Sequence, residues 1–188
     1  VAGAGASVGV ISAEGRGGPA DPAAAAALFR RGCDGNNAGG CTNLGVLYAT
    51  GRGVAVDLTR AAALFERACD GGDGPACTEL GILYQNGGGM PVDLARAAAL
   101  FDQGCLDADP IACTNLGALS VNGRGVELDF SRAATLYQRA CDAWYARACY
   151  TLGDIYASGQ GVALDSARAA PLFQWGCDGG VAASWTVS

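Results

Sequence analysis

The residues most able to do chemistry in this chain are its nine cysteines, which recur at a fixed spacing. Thiols at such a spacing could form disulfides, bind a metal or stay reduced in a core. One series steps by 36 residues and the other follows it by eight: Cys33, Cys69, Cys105, Cys141, Cys177, and Cys41, Cys77, Cys113, Cys149. A period of this size indicates stacked copies of one supersecondary unit, with a cysteine pair in each copy.

Disulfides are the favoured interpretation of the four pairs, 33/41, 69/77, 105/113 and 141/149. In each pair one predicted helix ends at the first cysteine and the next helix begins at the second, which places both within disulfide reach in an antiparallel hairpin. Zinc usually takes cysteines about two to four residues apart, often with histidine, and the chain has no histidine. Reduced core cysteines remain the other alternative, although they would not need a paired grid.

Disulfides of this kind predict an oxidising compartment, such as the bacterial periplasm or the exterior of the cell. Cys177 has no partner in the grid, because position 185 is a tryptophan. It is therefore either a free thiol or half of a bridge whose partner is missing. A redox role for Cys177 is disfavoured, because it ends a predicted helix and precedes Asp178, and both features oppose a thiolate.

The bulk composition excludes several classes of function. All 12 basic residues are arginine, there is no lysine or histidine, and the net charge is −6. The chain therefore lacks the usual acid/base residue for neutral pH, and nucleic acid is not an expected partner. No apolar run approaches the roughly 18 residues of a membrane span. We predict no cofactor and no metal, and the oligomeric state is left open.

Each copy is predicted to be a helical hairpin, with helix A, a turn and helix B. In the clearest copy, apolar residues of helix A fall on one face: Ala61, Leu64, Phe65, Ala68 and Cys69. An aspartate precedes each helix A as an N-cap: Asp21, Asp57, Asp93, Asp129 and Asp165. The arginines three residues later, Arg60, Arg96, Arg132 and Arg168, are interpreted as solvated i,i+3 partners rather than a ligand-binding stripe.

Two sets of glycines mark helix B. A Gly-x-Gly pair ends it, at 51/53, 87/89, 123/125 and 159/161, where glycine adopts a left-handed cap. A further glycine recurs inside the helix, where it costs about 1 kcal/mol relative to alanine: Gly45, Gly81, Gly117 and Gly153. Its recurrence predicts close approach of a neighbouring helix backbone at a place where a Cβ would clash.

The grid divides the chain, taken as one solenoid domain over 1–188, into repeats. These are a degenerate half repeat at 5–20, full repeats at 21–56, 57–92, 93–128 and 129–164, and an incomplete terminal repeat at 165–188. Pro171 falls inside the last helix A, where it removes a hydrogen bond and clashes with the preceding turn. We therefore expect that helix to be kinked or frayed.

The residues from Leu44 to Ala61 read Leu-Gly-x-Leu-Tyr-x-x-Gly-x-Gly-Val-x-x-Asp-x-x-Arg-Ala. With the cysteine pairs at a 36-residue step, this pattern resembles the Sel1-like repeat, in particular the cysteine-rich subfamily of the Helicobacter cysteine-rich proteins. The resemblance implies an all-α, TPR-like α/α superhelix with one disulfide per hairpin, and adaptor or partner-binding roles. Some members carry a β-lactamase label, but a serine β-lactamase needs Ser-x-x-Lys, and the chain has no lysine.

We therefore expect a scaffold that binds a protein or peptide partner, with β-lactam binding or weak hydrolysis as the alternative implied by the resemblance; no catalytic residue is assigned. Solenoids bind through equivalent positions on successive helices. The positions that vary between copies of helix A form two rows: Arg30, Glu66, Asp102, Gln138, Gln174, and Arg31, Arg67, Gln103, Arg139, Trp175. Trp144 and Tyr145, in a turn, are the most specific candidates for a binding surface. They act either as a recognition anchor or as a cover for the hairpin end.

Overall fold

A computed structural model describes residues 21–178, and the regular structure within that range is α-helical. The helices follow one another as α1 (Pro22–Asp34), α2 (Ala38–Thr50), α3 (Leu58–Asp70), α4 (Gly74–Asn86), α5 (Leu94–Leu106), α6 (Pro110–Asn122), α7 (Phe130–Asp142), α8 (Ala146–Ser158) and α9 (Ser166–Asp178). Odd-numbered helices are helix A of a repeat and even-numbered helices are helix B. The predicted all-α repeat fold is confirmed, while the half repeat predicted at 5–20 lies outside the described residues.

Contacts divide the chain into two compact units, which meet in sequence between Asp93 and Leu94. The first unit contains α1 to α4 and the second contains α5 to α9. Within each unit every helix packs against the next one along the chain. Each unit is therefore a row of helices in which helix B contacts its own helix A and, where the next repeat lies in the same unit, helix A of that repeat.

Helix A begins at the aspartates that the sequence marks as caps. Asp57 Oδ1 accepts the backbone N–H of Arg60 at 2.9 Å, and Asp129 and Asp165 do the same for the amides three residues later. Helix B ends at the first glycine of each Gly-x-Gly pair, as at Gly51, which has a φ of 71° and donates its N–H to the Leu47 carbonyl. Both boundaries repeat at the sequence period because the capping residues do.

The four predicted disulfides are present, one in each hairpin. They join Cys33 to Cys41, Cys69 to Cys77, Cys105 to Cys113 and Cys141 to Cys149, with Cα–Cα distances of 4.5–4.7 Å. All eight sulfurs belong to buried residues. Closing a loop of this length stabilises the folded state by roughly 2–3 kcal/mol per bridge in the chain-entropy model. Each small hairpin therefore carries its own covalent staple.

Pro171 does not interrupt α9. The helix continues from Ser166 to Asp178 with the proline inside it, so the predicted fraying is wrong for this part of the chain. The carbonyl that loses its partner belongs to the preceding turn, at Ala167, which is exposed. Water is available to that carbonyl, and this reduces the cost of the missing hydrogen bond.

A large aromatic side chain occupies the same buried position of every described helix A except the last, where it is half-buried. The series is Phe29, Phe65, Phe101, Tyr137 and Phe173. Its members explain three of the four glycines inside helix B, at Gly45, Gly117 and Gly153. A Cβ at Gly45 would lie 2.6 Å from Phe65 Cε1, and one at Gly117 would lie 3.0 Å from Tyr137 Cζ. The predicted reason for these glycines needs correction, because the close neighbour is the next repeat's ring and not its backbone.

We expect Gly45→Ala to destabilise the chain by about 1–3 kcal/mol, because the fully buried Phe65 ring must move to admit the methyl group. Gly39→Ala, in the same helix, is the matched control. A Cβ there meets nothing closer than 3.6 Å, so alanine should be neutral or stabilising by up to about 1 kcal/mol. Urea unfolding with the disulfides intact measures both. Equal effects of the two substitutions would contradict the packing argument.

Burial of Tyr137 should make the free energy of unfolding fall at alkaline pH. Burial raises its pKa to about 12 from an ordinary value of 10.0, and the charge of Arg147 opposes this only weakly. The folded pKa lies above the unfolded one, and ionisation favours unfolding. The stabilising contribution is therefore complete below pH 10 and is lost as pH rises towards 12, by on the order of 2–3 kcal/mol.

The measurement is the free energy of urea unfolding across that pH range, in a Cys177→Ser background that prevents thiol exchange. Tyr137→Phe restores the residue of the other repeats and should remove this part of the alkaline loss. An identical pH dependence with and without the hydroxyl would contradict the assignment.

Candidate functional site

The turn between helix A and helix B has the same backbone conformation in all four described hairpins. Its second-last residue has a positive φ, between 61° and 82°, in Asn36, Gly72, Ala108 and Trp144. The last residue is the N-cap of helix B. Asparagine and glycine adopt this left-handed conformation readily, whereas a bulky side chain is strained in it. Tryptophan is therefore the least suited of the four residues to the position that it occupies.

The fourth turn also gives up its helix cap. Asn37, Asp73 and Asp109 each accept a backbone N–H of helix B with a side-chain oxygen. Tyr145, at the equivalent position, makes no such hydrogen bond. Replacing a capping side chain typically costs about 1 kcal/mol. The pair Trp144–Tyr145 is thus unfavourable to the hairpin at both of its positions.

Trp144 is also the most exposed large apolar side chain of the described residues, at 80% of its full area. It contacts Trp175 of α9, with ring centroids 5.9 Å apart and planes inclined at 50°. Trp175 itself is 48% exposed. A side chain so open covers little of the hairpin end, so the two indoles form an exposed aromatic pair on the second unit.

At the positions equivalent to Trp175 in two other repeats, an arginine hydrogen-bonds the preceding hairpin. Arg67 Nη2 donates to the Cys33 carbonyl and to Asn36 Oδ1, each at 2.7 Å. Arg139 Nη2 donates to the Cys105 carbonyl at 3.0 Å. Trp175 lies in the register of these arginines, just as Trp144 lies in the register of Asn36. An arginine that caps the preceding helix A has therefore been replaced by a tryptophan that contacts a second tryptophan.

These contacts separate the predicted surface positions into residues that bond within the fold and residues that remain available to a partner. Nine of the ten row positions are exposed, and Gln138 is half-buried. Arg67 and Arg139 hold the preceding hairpin, and Asp102 forms an ion pair with Arg132 at 3.1 Å. The structure brings Trp144 and Trp175 together, with Tyr145 half-buried beside them in sequence. The sequence pattern singled out both tryptophans but not their contact.

An open pocket of about 330 Å³ adjoins the aromatic pair. It is lined by Gln138, Tyr156, Ala167, Arg168, Pro171, Leu172 and Trp175. Pro171 and Leu172 contribute apolar surface, while Gln138 and Arg168 contribute polar groups at the edge. Such a mixture suits a side chain or a short peptide segment with an apolar body and a polar end.

A second pocket in the same unit, of about 450 Å³, contains Asp154 together with Thr151 and Ser158. Burial of the carboxyl group raises the pKa of Asp154. Hydroxyl and carboxyl groups of this kind can hydrogen-bond a ligand. No group of three metal-binding side chains occurs within residues 21–178. In the same range no helix is both long and apolar enough to cross a bilayer, and Cys177 is an exposed free thiol.

The Sel1 repeat model matches five segments, residues 6–37, 38–73, 74–109, 110–143 and 146–180. These segments cover most of the sequence, and the chain belongs to the Sel1 repeat family. The four segments from residue 38 onward each begin at the start of a helix B and include the following helix A. No curated protein matches the chain.

Solved structures with the same fold include a Sel1 repeat protein from Oxalobacter formigenes, with 28% identity and a TM-score of 0.90 over 96% of this chain and 74% of that one. The protective antigen c5321 of uropathogenic Escherichia coli is 26% identical, with a TM-score of 0.88 over 95% of this chain. This chain spans only 38% of the length of that antigen. Helicobacter pylori cysteine-rich protein B is 25% identical, with a TM-score of 0.55 over 65% of this chain and 88% of that one.

We expect Trp144 to contribute little to stability. Trp144→Gly relieves the left-handed strain and loses the contact with Trp175, and each effect is about 1 kcal/mol. The free energy of unfolding should therefore stay within ~1 kcal/mol of wild type. Removing a core aromatic, as in Phe65→Ala, should cost about 3–5 kcal/mol.

Adding Tyr145→Asp to Trp144→Gly recreates the Gly72–Asp73 pair of the second hairpin. The restored cap should raise stability by about 1 kcal/mol over the single variant. Urea unfolding with intact disulfides compares the three chains. A loss above about 2 kcal/mol in the double variant would show that the aromatic residues support the fold.

Proposed function

We propose that this chain is a binding scaffold whose exposed Trp144–Trp175 pair anchors a protein or peptide partner. The carrying observation is Trp144, which occupies a left-handed turn position at 80% exposure where the other hairpins have Asn36, Gly72 and Ala108. Strain of this kind concentrates at functional sites. Tryptophan is among the residues most enriched at the energetic centres of protein interfaces.

The surroundings of the pair support the same proposal. The pocket beside Trp175 offers apolar walls and the polar groups of Gln138 and Arg168. A partner side chain seated there would contact Trp175 and lie close to Trp144. Family membership agrees with this, because Sel1 repeats generally mediate protein interactions. The E. coli relative is described as a protective antigen.

We further propose that the chain works in an oxidising compartment, either the periplasm or the exterior of the cell. Four buried disulfides support this, because such bonds form and persist in oxidising surroundings. The β-lactam alternative stays a prediction that rests on the family resemblance, since no contact or distance within residues 21–178 favours it.

Display of a random peptide library, selected on the wild-type chain, tests the aromatic anchor. Selected peptides should lose at least about tenfold in affinity for Trp144→Gly, because an anchoring tryptophan contributes roughly 2 kcal/mol or more. Trp175→Arg, which introduces the residue found at positions 31, 67 and 139, should weaken binding similarly. Arg31→Ala, in the first unit, is the matched control and should leave affinity unchanged.

Calorimetry or polarisation with the purified peptides gives these affinities, and unfolding curves confirm that each variant is folded. Peptides that bind wild type and both tryptophan variants equally would overturn the assignment of the site.

A further inference from the structure

A second constellation, in the first unit, contains two arginines and a tyrosine. Arg60 pairs through Nε with Asp57 Oδ2 at 3.1 Å, and its guanidinium lies 5.7 Å from the centre of the Tyr48 ring. Arg30 approaches from α1, and its Nη2 donates to the Tyr48 hydroxyl at 3.0 Å. Both arginines are exposed, whereas Tyr48 is only 8% exposed. The hydroxyl is therefore the floor of a shallow surface site flanked by two cations.

The second unit contains the same arrangement without the second cation. Arg168 pairs with Asp165 at 3.7 Å, lies 5.4 Å from the centre of the Tyr156 ring and donates to its hydroxyl at 3.1 Å. The position equivalent to Arg30 is Gln138, whose amide donates to Asp142 Oδ1 at 2.8 Å. Arg30 is thus an addition to a repeated motif and not a part of it.

The charge balance differs accordingly between the two sites. Around Tyr156 the charges of Arg168 and Asp165 cancel. Around Tyr48 two guanidinium groups face one carboxylate, Asp57, which leaves one positive charge. Asp102 occupies the position equivalent to Arg30 in another repeat, and it forms an ion pair with Arg132 at 3.1 Å. The added charge there is negative and neutralises the arginine. Only at Tyr48, among these three sites, is a guanidinium set beside another guanidinium.

The Tyr48 hydroxyl can make a further hydrogen bond to a ligand. A phenol hydroxyl has two acceptor sites and one donor proton. The guanidinium of Arg60 beside the ring lowers the pKa of Tyr48 more than burial raises it, and Arg30 lowers it further. Because Arg30 donates to the hydroxyl oxygen, the hydroxyl keeps its own proton for an acceptor that a ligand can supply. An anionic oxygen is the acceptor that this proton and the two guanidiniums would hold best.

We propose that Arg30, Tyr48 and Arg60 form a binding site for a carboxylate group of a peptide. One excess positive charge matches one carboxylate. A polyanion such as nucleic acid is disfavoured by the net charge of −6 on the whole chain. The carboxylate comes either from a peptide C-terminus or from an acidic side chain, and both present the same two oxygens. The site lies in the first unit and does not depend on the aromatic pair of the second.

The test is an NMR titration that follows the side-chain Nε–Hε signals of the arginines. Three probes separate the sources: the peptide Gly-Ser-Gly-Ser-Gly with a free C-terminal carboxylate, the same peptide amidated, and an acetylated and amidated hexaglutamate. We expect saturable shifts at Arg30 and Arg60 with the first probe, the third, or both, and none with the second. Arg132, neutralised by Asp102, should shift little.

Two reciprocal substitutions provide the matched control. Arg30→Gln introduces the residue found at position 138 and should weaken binding at least about tenfold, the effect of losing one charge-assisted hydrogen bond. Gln138→Arg introduces the second cation at Tyr156 and should create shifts at Arg168. Tyr48→Phe should also weaken binding while leaving both arginines in place.

The absence of saturable shifts with any probe in the millimolar range would overturn the proposal. So would a shift at Arg60 that persists unchanged in Arg30→Gln, or equal shifts from the amidated control peptide. Because the deciding signals are those of Arg30 and Arg60 in the first unit, a negative result leaves the proposal for Trp144 and Trp175 unaffected.

Discussion

The contact on which the rest of this structure depends is that of a helix A ring with a glycine of the preceding helix B. Phe65 covers Gly45, Tyr137 covers Gly117 and Phe173 covers Gly153. The glycine removes the one atom that would hold the helices apart, and the ring fills the space that remains. Within each unit this contact sets the register between successive repeats, so other contacts between repeats can recur at equivalent positions.

That register explains how function can be added to a repeated scaffold. In two hairpins it brings the left-handed turn residue next to the helix A residue that lies 31 positions later in the sequence. The pair is Asn36 with Arg67 in the first unit, where the arginine stabilises the hairpin. In the second unit it is Trp144 with Trp175, where the indoles face solvent. One geometric position therefore holds the hairpin in one repeat and, in our proposal, contributes to recognition in another, and only the side chains change.

The sequence predicted the features that repeat and are local. Caps, helix faces and disulfides follow from spacing within one hairpin, because their partners lie close in sequence. A capping side chain bonds an amide three residues later, and the paired cysteines are eight residues apart. The contact of Trp144 with Trp175 was not predicted, because predicting it requires knowing how one repeat packs on the next. Asn36 and Arg67, which also contact each other, have the same separation of 31 residues. For Gly45, the recurrence of glycine every 36 residues indicated that a Cβ would clash there. It did not identify the Phe65 ring as the group that the Cβ would meet.

The fourth disulfide has a second consequence, since it encloses the turn that carries Trp144 and Tyr145. A strained backbone persists only where its surroundings determine it fully. Cys141 and Cys149 hold the two helix ends 4.7 Å apart at their Cα atoms and are both buried. With the ends fixed, the turn has little freedom to relax, even without a helix cap at Tyr145. The staple common to all the hairpins is thus what allows one of them to present a tryptophan in a conformation that tryptophan disfavours.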